Sequence, residues 1–402
     1  MRAVIKPSKA SGIVLAPPSK SMAHRMLMGA GLADGISHIS NIELSEDIKA
    51  TLGILKALGC QYEVQGKEVI MTGIGGKKIQ AKEILDCNES GSTLRFFIPL
   101  LLTGGGAVTF TGAERLLERP LGIYEDICKE QGISFQREKQ RLELEGQLKA
   151  THYKVPGGIS SQFITGLLFA LPLLEEDSVL EVVPPVESRA YIDMTLETLE
   201  LYGIQIRREK DVFYIQGKQA YKTFQGAIEG DYSNAAFLEA LNVLGGSVNV
   251  EGLRADSLQG DQVYQDYFEG LKEGAACLDI SECPDLGPIL IAIAAAKHGA
   301  VFTGTRRLKI KESDRGAVMA QELDKFGIRV HVEANQITVE KGELKQPKEL
   351  LQSHNDHRIA MSLTTLCTLT GGVVDQCESV RKSFPNYYET IANLGIHVQL
   401  EA

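Results

Sequence analysis

The chain has 402 residues, 44% hydrophobic and 23% charged, with a formal net charge of −10. That length suits two domains of roughly 200 residues, and the composition excludes a disordered chain. The acidic balance argues against a general nucleic-acid binder, although local fields can still gather small anions.

Residues 1–7 carry no signal-like apolar run. The longest apolar runs, such as residues 289–296, fall far short of the roughly 18 residues of a membrane span. Seven cysteines form an odd set with no C-x-x-C pair. They read as reduced thiols, and the chain as cytoplasmic.

Along the chain two markers keep the same beat. Helix-stop glycines stand at Gly59, Gly132, Gly203, Gly274, Gly327 and Gly395, at intervals of 73, 71, 71, 53 and 68 residues. Each is expected at the left-handed position that ends a helix. Alternating strands such as residues 328–332 follow them. Mostly apolar helices open near Ser21, Ser92, Ser161, Ser233, Asp285 and His357, at intervals of 71, 69, 72, 52 and 72. The short interval falls between the same two repeats in both series. The chain therefore reads as six units of about 70 residues, each with two helices and several strands, three units to a domain. Helices such as residues 163–174 are apolar nearly all round and should be buried, whereas amphipathic ones such as residues 191–202 should lie outside them. The division falls near residue 228. The fold class is α/β (α+β), and an ordinary doubly wound protein is the alternative.

Polar residues collect at the openings of the apolar helices. They are Ser19, Lys20 and Ser21 with Arg25, then Ser90, Gly91 and Ser92 with Arg95, then Ser160, Ser161 and Gln162. Basic residues recur before the amphipathic helices: Arg119, Ser188–Arg189, Lys311 to Arg315, and Lys382–Ser383. Helix N-termini favour anions, and so many with Arg or Lys attached suggest a site for several anionic groups. Nucleotide motifs are missing. Gly73-Ile74-Gly75-Gly76-Lys77-Lys78 has the wrong spacing for a phosphate loop and reads as a turn. His354 and His357 are three apart without an evident third ligand, so capping and anion binding are favoured over a metal there.

Residues 15–21 (Leu-Ala-Pro-Pro-Ser-Lys-Ser) with Arg25, and residues 308–315 (Leu-Lys-Ile-Lys-Glu-Ser-Asp-Arg), resemble the two signatures of the EPSP synthase (3-phosphoshikimate 1-carboxyvinyltransferase) family. Ser160-Ser161-Gln162-Phe163, Asn355-Asp356-His357-Arg358 and Lys382-Ser383-Phe384-Pro385 are similar to further blocks. The similarity runs in order along essentially the whole chain. It departs at Glu89-Ser90-Gly91-Ser92, where many members have Asn-Ala-Gly-Thr. It departs also at Phe96, commonly Pro, and at Arg307, commonly Asn.

The resemblance implies two domains of three βαβαββ repeats around buried parallel helices, residues 13–226 and residues 1–12 with 227–402, and an active site in the cleft between them. It implies transfer of the enolpyruvyl group of phosphoenolpyruvate to the 5-hydroxyl of 3-phosphoshikimate, in aromatic amino acid biosynthesis. It further implies small-molecule substrates and no metal or cofactor. The net charge and the short apolar runs argue against nucleic-acid and membrane partners, and six units that bury their own helices make a monomer the expectation.

By motif position, 3-phosphoshikimate should meet Lys20, Ser21, Arg25, Ser160, Ser161, Gln162, Ser188, Asp285 and Lys311. Phosphoenolpyruvate should meet Lys20, Gly91, Arg119, Gln162, Arg315, Arg358 and Lys382. Asp285 is assigned as base, Glu312 as proton donor, and Lys20 as the residue assisting phosphate departure. The nearest rival is the sister transferase acting on UDP-N-acetylglucosamine, which has Asn after the first Lys and a reactive Cys near the Arg119 segment. Here Ser21 follows Lys20, and Cys128 reads as packing. A non-catalytic polyanion binder on the same scaffold would lack Asp285 or Glu312.

Overall fold

The computed structural model describes residues 1–75, 79–80 and 83–402; the Gly76–Lys78 part of the expected turn lies outside them. Among the described residues there are six sheets, and five share one strand order. In each a parallel pair is extended by two antiparallel strands, which form a hairpin in four of the five. The third repeat shows the pattern: His152–Pro156 runs parallel to Ser178–Val183, which pairs antiparallel with Val212–Ile215 and then Ile206–Glu209. Between the first two strands runs a buried helix, Ser161–Ala170, and before the hairpin an outer helix, Arg189–Leu201. The connections are those of a repeated βαβαββ unit.

The sheet of the fourth repeat has only two strands, Ser11–Leu15 parallel to Ser247–Glu251. Its outer helix, Tyr264–Glu273, is followed directly by Ala276–Asp279, the leading strand of the fifth sheet. A missing hairpin is thus the cause of the short 53-residue interval. The glycines tell the same story. Gly59, Gly132, Gly203, Gly327 and Gly395 have φ between 68° and 103°. Gly274 has φ 175°, an extended backbone open to any residue, so the left-handed stop expected there is corrected.

Two leading strands are exchanged. Ser11–Leu15 precedes the helix Lys20–Leu32 but pairs in the fourth repeat. Gln225–Ala227 precedes the helix Tyr232–Val243 but pairs with Ile36–Ser40 in the first. The N-terminal strand Arg2–Ile5 fills the sixth sheet between Gly372–Asp375 and Val398–Glu401. The chain divides into Met1–Pro17 with Gly230–Ala402, and Pro18–Glu229. These limits stand a few residues from 13–226 because each exchanged strand stays whole within the unit it pairs in.

Each unit has its own core. The six buried helices begin at Lys20, Gly91, Ser161, Tyr232, Gly287 and His357. Gly287–Ala296 (GPILIAIAAA) is buried from Gly287 through Ala295, and a helix with no water-facing side must be apolar all round. Each fully buried Leu, Ile or Phe contributes about 1.5–3 kcal/mol. Among the described residues one short α-helix stands beside the twelve expected ones, Glu114–Glu118, whose C-terminal neighbour is Arg119.

Candidate active site

Five of the six buried helices start with a side-chain cap. Ser19, Ser90, Ser160, Asp231 and Asp356 accept from Met22, Thr93, Gln162, Asn234 and Arg358 amides. The sixth, Gly287–Ala296, is led instead by the 3₁₀ turn Pro284–Leu286, which carries Asp285. Capping uses some of the exposed N–H groups and leaves others, with the helix dipole, facing an anion.

In the Pro18–Glu229 unit, Lys20 is the first residue of its helix, and its Nζ lies 2.8 Å from Asp47 Oδ2. Asp47 sits in the first turn of Glu46–Ala57. Arg25, 2% exposed, is tied down by neutral acceptors alone. It donates to Ser21 O (2.7 Å), Thr195 Oγ1 (2.9 Å), Tyr191 O (2.9 Å) and Thr165 Oγ1 (3.3 Å). Its guanidinium also lies over the Phe96 and Tyr191 rings. Burial pulls Arg25 down to about 10, and no carboxylate among the described residues forms an ion pair with it. A buried cation held only by neutral groups is a standing demand for an anion.

Gly91 begins the next buried helix, against the side chain of Arg119. A Cβ at Gly91 would lie 2.7 Å from Arg119 Nη1 and 2.9 Å from its Cζ. Gln162 joins this corner to the third helix: its Nε2 donates to Ser92 Oγ (2.9 Å) and its Oε1 accepts from Arg95 Nη1 (2.7 Å). Arg95 Nη2 also donates to Pro120 O (3.0 Å), next to Arg119. Ser160 caps that helix and Ser161 is its first residue. Ser188 is fully buried with φ 57°, just before Arg189, whose ion pair with Asp211 anchors the turn. The structure thus joins Lys20, Ser21, Arg25, Gly91, Arg119, Ser160, Ser161, Gln162 and Ser188 around three helix N-termini and one outer helix.

In the other unit the charges are interlocked. Asp285 Oδ1 lies 2.8 Å from Arg315 Nη1 and 3.1 Å from Lys311 Nζ, and its Oδ2 is 3.4 Å from Arg358 Nη2. Arg315, 1% exposed, also reaches Glu312 Oε2 (2.7 Å) and Asp356 Oδ2 (2.8 Å). Lys382 Nζ donates to Asn355 O (2.5 Å). Burial works against ionised Asp285, but Arg358, Lys311 and Arg315 outweigh it and hold the carboxyl well below the usual range. Burial pulls Lys311 down to about 8, with Arg307 and Arg315 adding to the shift and Asp285 opposing it. Burial, with Asp285 and Asp231 nearby, raises Asp261 to about 6.

Several members of this arrangement had no role assigned from sequence. Asp47 carried only the signal of an acidic first helical turn. Asp356 lay inside a recognised block but is the cap that also holds Arg315 and Ser313 (3.0 Å). Asp261 gave no signal, because burial raises it and burial is tertiary. His354 Nε2 faces Glu322 Oε1 at 3.0 Å. Cys128 is buried in the helix Gly122–Gln131, and burial pushes its thiol up to about 12.

A family model described as EPSP synthase (3-phosphoshikimate 1-carboxyvinyltransferase) matches residues 4–391. A Clostridium kluyveri protein named 3-phosphoshikimate 1-carboxyvinyltransferase is 40% identical, covering 97% of this chain and 96% of the relative. A Clostridium perfringens protein of the same name is 39% identical, covering 98% of each. An EPSP synthase structure from Acinetobacter baumannii superposes with a TM-score of 0.80 at 22% identity, covering all of both chains. At that identity the last match speaks for the fold alone.

Proposed function

The chain belongs to the EPSP synthase family, and we propose that its two polar clusters divide the family's reaction between them. The enzyme transfers the enolpyruvyl group of phosphoenolpyruvate to the 5-hydroxyl of 3-phosphoshikimate and releases phosphate, a step of the shikimate pathway. Its substrates together bring two phosphates and two carboxylates. At 4 Å and intermediate dielectric two unit charges interact by about 4 kcal/mol, so the anions must be neutralised by fixed cations.

In this reading 3-phosphoshikimate is held by Lys20, Ser21, Arg25, Ser160, Ser161, Gln162, Ser188, Asp285 and Lys311. The unsatisfied charge of Arg25 supports its place there. Phosphoenolpyruvate is held by Lys20, Gly91, Arg119, Gln162, Arg315, Arg358 and Lys382. The Arg119 guanidinium packed against bare Gly91, at a helix N-terminus, is suited to a compact anion.

Asp285 is the base for the 5-hydroxyl. Gripped by three cations it is a weak base, and substrate anions would compete for those cations. As they take over Lys311, Arg315 and Arg358, Asp285 regains basicity, so proton abstraction follows binding. Glu312, 2.7 Å from Arg315, is likewise released toward its proton-bearing form and delivers the proton to the methylene carbon as the 5-oxygen bonds to the neighbouring carbon; its carboxylate then takes a proton back from the resulting methyl group as phosphate leaves, which restores the double bond. Lys20 stabilises the departing phosphate. The single observation that carries this division of labour is the grip of Lys311, Arg315 and Arg358 on Asp285.

Buried Cys128 leaves no reason to favour the UDP-N-acetylglucosamine reaction. Each unit covers its own buried helices, which supports a monomer, and the family's reaction on small molecules supports a place in the cytoplasm. The test is phosphate release. It should require phosphoenolpyruvate together with 3-phosphoshikimate, and UDP-N-acetylglucosamine should not replace the latter.

A further inference from the structure

The outer helix Arg315–Lys325 carries two deeply buried charges seven residues apart, and therefore on one face: Arg315, 1% exposed, and Glu322, 0%. Both reach the same short segment. Arg315 Nε lies 2.8 Å from Asp356 Oδ2, and Glu322 Oε1 lies 3.0 Å from His354 Nε2. Glu322 is fixed in turn by Lys325 Nζ (2.8 Å) and the Gln352 amide (2.9 Å), while Lys325 also donates to Leu350 O (3.0 Å).

The gripped segment is strained. His354 (φ 52°) and Asn355 (φ 55°) are consecutive non-glycine residues in the left-handed region. Glycine would reach that backbone without steric cost, so position 354 carries an imidazole against its backbone preference. The Asn355 amide donates to Gln376 Oε1 (3.1 Å) and Ser353 Oγ (3.3 Å). The Asn355 carbonyl, midway between the two gripped residues, accepts from Lys382 Nζ at 2.5 Å.

We propose that Glu322 and His354 are positioning residues for phosphoenolpyruvate: with the Arg315–Asp356 pair they pin residues 354–356 at two points. That sets the direction of the Asn355 carbonyl, and through it the Lys382 ammonium. The proposal rests on the reading that Lys382 meets phosphoenolpyruvate. The strain at 354 and 355 is held by the clamp, and without it the carbonyl turns away from Lys382.

The test compares His354→Gly, His354→Ala and His354→Gln with the native enzyme. Phosphate release is followed against phosphoenolpyruvate at saturating 3-phosphoshikimate, with 3-phosphoshikimate affinity by calorimetry and the melting temperature alongside. His354→Gly removes the imidazole together with the strain at 354, so it should fold with a melting temperature little changed. Its phosphoenolpyruvate KM should rise about tenfold, with kcat and 3-phosphoshikimate affinity within about twofold of native. His354→Gln, which keeps a donor for Glu322, should recover most of the loss. Should His354→Ala fail to fold, His354→Gly carries the comparison. A native KM in His354→Gly, or an equal loss for both substrates, would overturn the proposal while leaving the function standing. Native protein that releases no phosphate would overturn both.

Discussion

Gly91 and Arg119 fit against each other only because residue 91 has no side chain: a Cβ there would lie 2.7 Å from Arg119 Nη1 and 3.0 Å from its Nη2. The helix N-terminus and the guanidinium are therefore held side by side. Gly91→Ala should push Arg119 aside, because contacts under about 3 Å force one partner to shift. The phosphoenolpyruvate KM should rise at least about tenfold while 3-phosphoshikimate affinity holds, since Arg25 and Lys311 are untouched. Steady-state kinetics with calorimetry would check it; an unchanged KM would show that this corner does not hold phosphoenolpyruvate.

Arg25 is buried, satisfied only by neutral acceptors and drawn down to about 10 by burial. Binding of the 3-phosphoshikimate phosphate should relieve this and raise the melting temperature, as any ligand selective for the native state does. Arg25→Ala should lower 3-phosphoshikimate affinity by roughly 2–5 kcal/mol. A native shift on adding 3-phosphoshikimate that persists in the mutant would place the phosphate elsewhere.

Lys311 predicts a pH dependence. It titrates near 8 where an ordinary lysine titrates at 10.5, chiefly through burial and then through Arg307 and Arg315. Below about pH 8 it is charged and can hold an anion, so 3-phosphoshikimate affinity should fall as pH rises through that value. The same low value means that fold stability should rise between pH 8 and 10.5, where the unfolded lysine binds the proton more tightly. Ligand binding near pH 8.5 should take up protons, measurable by calorimetry in buffers of different ionisation enthalpy. Arg307→Asn removes one depressing charge and should move the falling limb to higher pH.

Asp261, raised to about 6 by burial and by Asp285, gives the opposite stability signature. Its folded form holds the proton more tightly than the unfolded chain, so this contribution is present below about pH 4 and is lost as pH rises through 6. Asp261→Asn should stabilise the protein at pH 7 by about 1–3 kcal/mol, with the gain vanishing near pH 4. Denaturant titrations at both pH values would test it; an equal effect at both would remove Asp261 from the titrating set.

The repeat architecture was legible because its signals are local. A glycine stop, a polar cap and an apolar run each declare themselves within a few residues, and their common spacing gave six units. The exchange of residues 11–15 and 225–227 between repeats was not legible, since strand pairing joins segments far apart in the chain, Ser11 with Ser247 and His38 with Gln225. Gly274 illustrates the limit of a local signal: it follows a helix as the others do, yet with no hairpin to enter its backbone stays extended. In the site, cationic residues were legible from their motifs. Their carboxylate partners were less so. Asp47, Asp261 and Glu322 act only through what folds against them, and nothing in their immediate sequence marks that.

The assignment of Asp285 as base and Glu312 as acid is tested most directly by the turnover of Asp285→Asn and Glu312→Gln, each measured as phosphate release with both substrates saturating. Each amide keeps the shape and loses the proton-transfer capacity, and general acid–base catalysis is worth about 10²–10⁴-fold. Both variants should remain folded, should still bind 3-phosphoshikimate, somewhat more weakly in Asp285→Asn, and should lose kcat within that range or beyond it. Near-native kcat in either variant would contradict its assigned role, and would leave Lys20 or Lys311 to carry that proton.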